Sequence, residues 1–334
     1  MPGCNGPATR QSSGPGWPSV SRASPRTAPP PASVSPDADT PGGAEGLALT
    51  PDLAPRIAPL LERRIAGLGE HAPADLSFGN LWLFRHAHQW RWHGGAWPCV
   101  AGRAYDGQRL AVPLFDVREA PRGVLHDLAL RHGGLFPLCR HEAEALGRSG
   151  WELSAERADA DYLYPAGQFR GYRGPALHKK ANLVAQLHAA HTLHAEPYRP
   201  ALQPHALAVL QGWLHDKGKA AGDADDAPCR DALAGGPELR LEGFLHWADG
   251  EPAGFLLAEP LQPGVWVVRF AKGLVRFKGI TQHMFRHFAE RPDARVDWLN
   301  FEQDLGLAHF RQTKLSYRPA LLLPKWRLLP GPPA

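Results

Sequence analysis

Residues 296–319 read VDWLNFEQDLGLAHFRQTKLSYRP, and the parsing of this stretch decides the fold. Val296, Trp298 and Asn300 alternate as one face of a buried strand, and Glu302 and Asp304 leave its end two residues apart, so the spacing puts both carboxylates on one side. Asp304 stands where the N-cap of a helix over residues 305–312 is expected, and residues 314–317 return as a strand. Taken singly, a helix cap and a few solvated charges explain these residues. Together, Glu302, Asp304, Arg311, Lys314, Ser316 and Tyr317 crowd one strand–helix–strand junction, a common place for sites in α/β sheets.

Upstream of this stretch the pattern repeats. Residues 239–247 and 252–259 form a hairpin about Asp249-Gly250, followed by a strand at 265–271 and a helix at 279–289. The same order occurs earlier: a hairpin of 89–93 and 96–102 turning at Gly94-Gly95, a strand at 109–115, a helix at 122–131, a strand at 135–139, a helix at 141–148 and a strand at 151–155. Further helices are expected at 51–68, 177–194 and 204–217, and a loop at 222–236, where Pro228 stands among Gly and acidic residues. The economical architecture is α/β (α+β): two copies of one unit, each a mixed, mostly antiparallel sheet with flanking helices, over residues 47–165 and 166–330.

Residues 1–46 contain ten Pro and few large aliphatic side chains. Such a segment cannot bury enough apolar surface to offset its ordering entropy and is expected to be disordered. Of the 334 residues, 43% are hydrophobic and 21% charged, the balance of an ordinary globular chain. The net charge of +4 is uneven: residues 1–46 sum to zero, 47–165 to −1 (13 Arg, 14 acids) and 166–334 to +5 (21 Lys plus Arg, 16 acids). An anionic partner is therefore expected on the second half. No run of roughly 18 apolar residues is present, which predicts a soluble, cytoplasmic protein with at most peripheral membrane contact. Cys4, Cys99, Cys139 and Cys229 stand far apart, so neither a disulfide framework nor a cysteine zinc site is expected.

Two further clusters carry candidate chemistry. Residues 172–182, YRGPALHKKAN, place Lys179, Lys180 and Asn182 at a helix start, where side-chain charge and backbone dipole both favour an anion. Residues 271–287, AKGLVRFKGITQHMFRH, hold Arg276, Gly279 and Thr281 at the register of a pyrophosphate-cradling loop. The final small residue of that loop is replaced by Thr281, which weakens a coenzyme A reading. His188, His191 and His194, and His283 and His287, share helix faces but lack the Glu of H-E-x-x-H, and no metal is expected. No G-x-S-x-G, Walker loop or dinucleotide fingerprint occurs.

NFEQDLGLAHFRQTKLSYRP, with YRGPALHKKANLV upstream and LSFGNLWLFR near the start, resembles the phosphatidylglycerol lysyltransferase C-terminal domain family over residues 70–327. The resemblance implies two tandem GNAT-like acyltransferase domains and transfer of an amino acid from aminoacyl-tRNA to an acceptor, without a cofactor. Its polar pattern falls on Asn182, Lys272, Asn300, Glu302, Asp304, Arg311, Lys314, Ser316 and Tyr317. Phe301 stands where the family commonly has Arg, and Ala181 where a second basic residue often precedes the Asn. The membrane-embedded part of the lipid-modifying members is missing, so the acceptor, a small molecule or a lipid headgroup, stays open.

On this reading Glu302 or Asp304 acts as general base and Tyr317 protonates the leaving group, while Lys179, Lys180, Asn182, Lys272, Asn300, Arg311, Lys314 and Ser316 bind substrate. The alternatives are acyl transfer from acyl-CoA, with Arg276, Gly279 and Thr281 holding its pyrophosphate, and a silent module that binds an anionic ligand.

Overall fold

Two sheets are each built around one parallel strand pair, and a helix must cross between the members of such a pair because a tight turn cannot join parallel strands. In the computed structural model, which describes residues 46–222 and 225–330, the first half runs β1 (Leu47–Ala48), α1 (Ala54–Leu68), α2 (Phe78–Leu83), α3 (Arg85–His88), β2 (Arg91–His93), β3 (Cys99–Arg103), β4 (Arg109–Pro113), α4 (Arg122–His132), β5 (Leu135–Leu138), α5 (Arg140–Arg148) and β6 (Leu153–Ala155). It continues through β7 (Asp161–Pro165), α6 (Gly167–Gly171), α7 (His178–Ala190), β8 (Leu193–Pro197), α8 (Gln203–Asp216) and α9 (Asp226–Ala234). The last part comprises β9 (Glu242–Ala248), β10 (Glu251–Gln262), β11 (Val265–Gly273), α10 (Ile280–Glu290), β12 (Trp298–Asn300), α11 (Ala308–Leu315), β13 (Leu321–Leu323) and β14 (Trp326–Leu328).

The order β2-β3-β4-α4-β5-α5-β6 recurs as β9-β10-β11-α10-β12-α11-β13, with β4·β5 and β11·β12 parallel and the remaining strand pairs antiparallel. The fold is the expected α/β class with two mixed sheets. The sheets, in spatial order β1-β2-β3-β4-β5-β14-β6 and β13-β7-β12-β11-β10-β9-β8, have seven strands each and exchange one strand. β7 enters the second sheet between β12 and β13, and β14 enters the first between β5 and β6. Sheet membership therefore crosses residue 165 twice.

Three local expectations are corrected. Residues 222–236 contain helix α9, whose Cys229, Ala232 and Leu233 are buried. Pro228 lies in its first turn, where a missing N–H costs no helical bond. Residues 191–194 leave α7 and enter strand β8. Residues 314–317 are not a strand: α11 runs to Leu315, and the final strands lie at 321–323 and 326–328. The expectation of a disordered 1–46 falls almost wholly outside the described residues. Among the described residues no helix is long and apolar enough to cross a membrane.

α1 buries Ile57, Leu61, Ile65 and Leu68 at helical spacing, in a core that also includes Leu261 and Val267 of the second sheet. A buried ion pair fastens this helix to the first sheet. Arg64 donates to Glu142 at 2.9 and 2.8 Å and to the carbonyls of Pro113 and Pro137 at 2.7 and 2.8 Å, while Glu142 also accepts the Cys139 amide at 2.8 Å. Both side chains have no solvent exposure. Arg64→Ala should cost about 3–5 kcal/mol in urea denaturation because it strands a buried carboxylate. Arg64→Met with Glu142→Leu should recover part of that loss, and equal stabilities of all three proteins would refute the assignment.

Candidate active site at the strand fork

β12 pairs with β11 through only three register positions, Trp298 with Val265, Leu299 with Trp266 and Asn300 with Val267, while β11 runs on to Gly273. The strands fork there. Asn300 sets the turn-off: its buried side chain donates to Asp161 at 2.9 Å and accepts the Glu302 amide at 2.7 Å. Glu302 adopts a left-handed backbone with φ +57°, as does Leu305 with φ +54°. Such conformations are uncommon for non-glycine residues and persist where surrounding bonds over-determine them.

The group that fills the fork is Arg269, which sequence reading missed. A register shift between Leu257 and Ala258 sets Val268 and Phe270 opposite successive residues of β10, so Arg269 is the extra residue of a bulge, a device that re-aims a side chain. Its guanidinium is fully buried and donates to Glu259 at 3.0 and 2.9 Å, Ser77 Oγ at 2.7 Å, the Ala74 carbonyl at 2.8 Å, Asn80 at 3.2 Å and Glu302. The available signal was the charge itself, placed inside the apolar run VWVVRFA, because a buried cation must be paired.

Glu302 keeps 22% of its side chain exposed, and its pKa is raised, because loss of solvent outweighs the attraction of Arg269 and Lys314. Lys314 donates to the carbonyls of Glu302, at 3.2 Å, and Gln303. Desolvation lowers its pKa to about 8, against the pull of Glu302.

Asp304 does not share the face of Glu302, as two-residue spacing had implied, because the left-handed turn at Glu302 breaks the alternation. Its carboxylate is fully buried and accepts from Arg157 at 3.1 Å, the Tyr162 hydroxyl at 2.6 Å, Arg311 at 2.8 and 3.1 Å and the Gly306 amide at 2.9 Å. Burial opposes ionisation, but these bonds, Arg311 first among them, hold the carboxyl at about 2. A group so enclosed and so weakly basic is structural. It does not cap α11, whose N-cap is Leu307.

The other expected site residues divide by position. Tyr317 is 3% exposed, its hydroxyl accepts from Gln282 at 2.7 Å, and burial pushes it up to about 12. Lys180 lies 4.1 Å above the Tyr317 ring, and Lys179 and Asn182 are exposed on the same helix. Arg311 is spent on Asp304, and Ser316 bonds the Thr313 carbonyl of its own helix at 2.6 Å.

Lys272 is buried rather than presented to a donor's phosphates. It pairs with Asp225 at 2.7 Å and sits 3.8 Å from the Trp213 ring centre. In the loop before α10, Arg276 pairs with Glu251 at 2.7 Å, and Thr281, the second residue of that helix, is half-buried. Gly279, at φ +102°, lies so close to α7 that an added Cβ would stand 2.3 Å from the Leu183 carbonyl. The close approach expected there for a pyrophosphate is made by α7 instead.

His188 and His283 meet at 3.1 Å. Among the described residues no group of three or more His, Cys, Asp or Glu side chains is placed to hold a metal. A separate cavity of about 950 Å³, lined by Glu62, His71, Gln262, Trp266 and Arg295 among others, lies at the opposite end of β11 and contains none of these groups.

The carboxyl of Asp304 gives a pH test. Its folded pKa is depressed, so the stability it contributes is present above the ordinary carboxylate range and is lost as pH falls towards 2. Asp304→Asn should therefore be about 2–3 kcal/mol less stable than the unaltered protein at pH 7. In urea melts from pH 7 to 2.5 the gap should shrink progressively; a constant gap would assign the cost to shape alone.

The family model described as phosphatidylglycerol lysyltransferase, C-terminal, matches residues 67–329. A conserved protein of unknown function from Bacteroides thetaiotaomicron superposes with a TM-score of 0.72 at 21% identity, over 85% of this chain and 99% of that one. L-PGS from Bacillus licheniformis superposes at 0.54 with 12% identity, over 82% and 92%. FemX superposes at 0.56 with 7% identity, over 86% and 98%. No curated protein matches the sequence. At these identities the superpositions establish the shared fold.

Proposed function

The chain belongs to the phosphatidylglycerol lysyltransferase C-terminal family and is an acyltransferase, and from that membership we propose that it transfers an aminoacyl group from aminoacyl-tRNA to a hydroxyl or amine acceptor. The observation that carries this reading is the arrangement of charge around the fork. Residues 162–195, 260–289 and 305–330 contain no Asp or Glu. These three segments are joined by bonds from Tyr172 to the Gln282 carbonyl at 2.8 Å, from Gln282 to Tyr317 at 2.7 Å and from Gln168 to the Tyr317 carbonyl at 2.7 Å. Arg173, Lys179 and Arg318 are exposed on these segments.

In three ion pairs of the elements that build the fork, the carboxylate is the accessible partner. Arg269 and Lys325 have no side-chain exposure and Lys272 has 6%, whereas their partners Glu302, Asp75 and Asp225 keep 22, 17 and 35%. A basic rim around a carboxylate-faced interior fits a polyanion whose reacting end carries an ammonium group. Aminoacyl-tRNA has that pattern. An acetyl thioester of coenzyme A has the phosphates but no cation at its tip.

In the proposed reaction the acceptor gives its proton to Glu302 and attacks the ester carbonyl carbon. The tetrahedral intermediate then collapses with cleavage of the carbon–oxygen bond to the tRNA ribose, and Glu302 returns the proton to the leaving oxygen. Arg269 fixes the position of Glu302. Lys314, with two of its three N–H groups on backbone carbonyls, directs positive charge at the developing oxyanion. These roles leave Asp304 and Tyr317 as the walls that hold the loop in place.

Glu302→Gln should lower turnover by about 10²-fold or more with little change in melting temperature. The rate profile should rise with pH through a carboxylate range displaced upward and fall near 8 as Lys314 loses its proton, and Lys314→Arg should carry the alkaline limb to higher pH. On the donor side, tRNA binding should weaken steeply with salt, and reversing Lys179 and Lys180 should flatten that dependence by roughly one unit of log–log slope for each phosphate no longer neutralised. Salt-insensitive binding with saturable acetyl-CoA turnover would overturn the donor assignment.

A further inference from the structure

Four histidines from three elements meet where α10 packs against α7 and β9: His188 on α7, His246 on β9, and His283 and His287 one turn apart on α10. His188 Nε2 and His283 Nδ1 are 3.1 Å apart, and the His246 ring stands edge-on to those of His283 and His287, with centres 5.3 and 5.1 Å away. His246 is 1% exposed. Neither of its ring nitrogens has a hydrogen-bond partner, nor has Nδ1 of His287. A buried imidazole left unbonded costs free energy that an aliphatic side chain of the same size would not. A native exception of this kind points to a role other than packing.

No carboxylate around the cluster is left to pair with a protonated ring. On α10 itself Glu290 holds Arg286 at 3.0 Å, and just beyond the helix Arg291 takes both Glu242 of β9 at 2.6 Å and Asp293 at 2.5 Å. α7 otherwise carries His178, Lys179 and Lys180, none of them acidic. α6 presents Arg170, which donates to the carbonyls of Ala289 at 2.9 Å and Val296 at 3.0 Å. On β10 and β11, Glu251 pairs with Arg276, Glu259 with Arg269 and Lys272 with Asp225. β8 sets Ala195 opposite His246, which turns His194 and Glu196 to the other face of the sheet.

A proton on His246 would therefore sit beside two further imidazoles with no counter-ion. Loss of solvent, then His283 and His287, holds His246 neutral well below the ordinary imidazole range, and burial followed by His188 depresses His283 to about 4. Because these folded-state values lie below the unfolded one, the stability of the contact is complete above about 6.5 and is lost as pH falls.

We infer that the cluster of His188, His246, His283 and His287 is a proton-triggered release, which holds α10 on α7 and β9 while its rings are neutral and frees the helix in acid. The effect reaches the rim of the fork. The Gln282 carbonyl of α10 accepts the Tyr172 hydroxyl at 2.8 Å, and its side chain donates to Tyr317 at 2.7 Å. Releasing α10 breaks both bonds and uncovers Ile280, Met284, Phe285 and Phe288. The release is independent of which acyl donor the protein uses.

The test is hydrogen exchange of the full chain at pH 7 and pH 5, read by mass spectrometry and corrected for the intrinsic pH dependence of exchange. A single histidine that is charged only after release favours opening by roughly 25-fold between these two values. Protection of α10 should fall by at least that factor, while α1, which contains no histidine, stays within about threefold. His246→Leu, close in volume and unable to take a proton, should keep α10 protected at pH 5. His188→Gln alters an exposed position, so it folds whatever the fate of the first variant, and it should recover part of the protection. If α10 and α1 lose protection together, or if both variants open in acid as readily as the unaltered protein, the release is refuted. A gain of α10 protection on adding zinc at pH 7 that His246→Leu abolishes would give the nitrogens to a metal and overturn it as well.

Discussion

A guanidinium taken wholly out of water must find a partner for each of its donors, and that demand at Arg269 organises the molecule around it. The partners come from both halves of the chain: Ala74, Ser77 and Asn80 before and within α2, Glu259 on the neighbouring strand, and Glu302 just past the fork. Ser77 also caps α2 by accepting the Asn80 amide at 3.0 Å and donates to Glu259 at 2.9 Å, so the helix start, the bulge and the fork are one bonded network. Removing Glu259, the more buried of the two carboxylates, would leave buried charge uncompensated, a far larger penalty than an exposed pair incurs. The placement of Glu302 is thus a consequence of satisfying Arg269.

The same economy appears at Asp161, where β7 enters the second sheet. Its carboxylate takes the Ala74 amide at 2.7 Å, Asn300 at 2.9 Å and the ammonium of Lys325 at 2.7 Å. Lys325 precedes β14, which belongs to the first sheet. One buried carboxylate therefore joins the two points at which strands cross from one half to the other, and the turn-off of the fork depends on it through Asn300. Polar groups at this depth are tolerable only when fully bonded, and their mutual dependence gives the loop at 300–306 a single conformation.

Much of this architecture was legible in the sequence, and the unreadable parts have identifiable causes. Alternation and turn residues located the two hairpins and the helices that follow them, because those elements bury one face and leave the other wet. β7 was not read because DYLYP is buried on both sides and shows no alternation. The helix at 226–234 was hidden by Pro228, a breaker everywhere except in a first turn. In the candidate site, the motif from Asn300 to Tyr317 located the loop past the strand fork but not the direction in which each of its carboxylates faces. Spacing cannot show that Asp304 faces inward to two arginines while Glu302 faces the fork, since a left-handed residue between them undoes the period. Arg269 lies outside any motif and takes its place through tertiary position alone.

The exchanged strands also bear on how the protein comes into being. As the chain is synthesised, the first sheet has β5 and β6 early, but the strand that lies between them is formed by residues 326–328, close to the end of the sequence. The long sequence separation of that pairing makes it a late and slow event. Until those residues are made, the first sheet holds two unsatisfied edges, Lys325 has not reached Asp161, and Arg327 has not reached Asp106 and Asp159. Closing the first sheet and bringing Lys325 to Asp161 behind the fork are therefore the same step, so a chain that stops short of these residues lacks both.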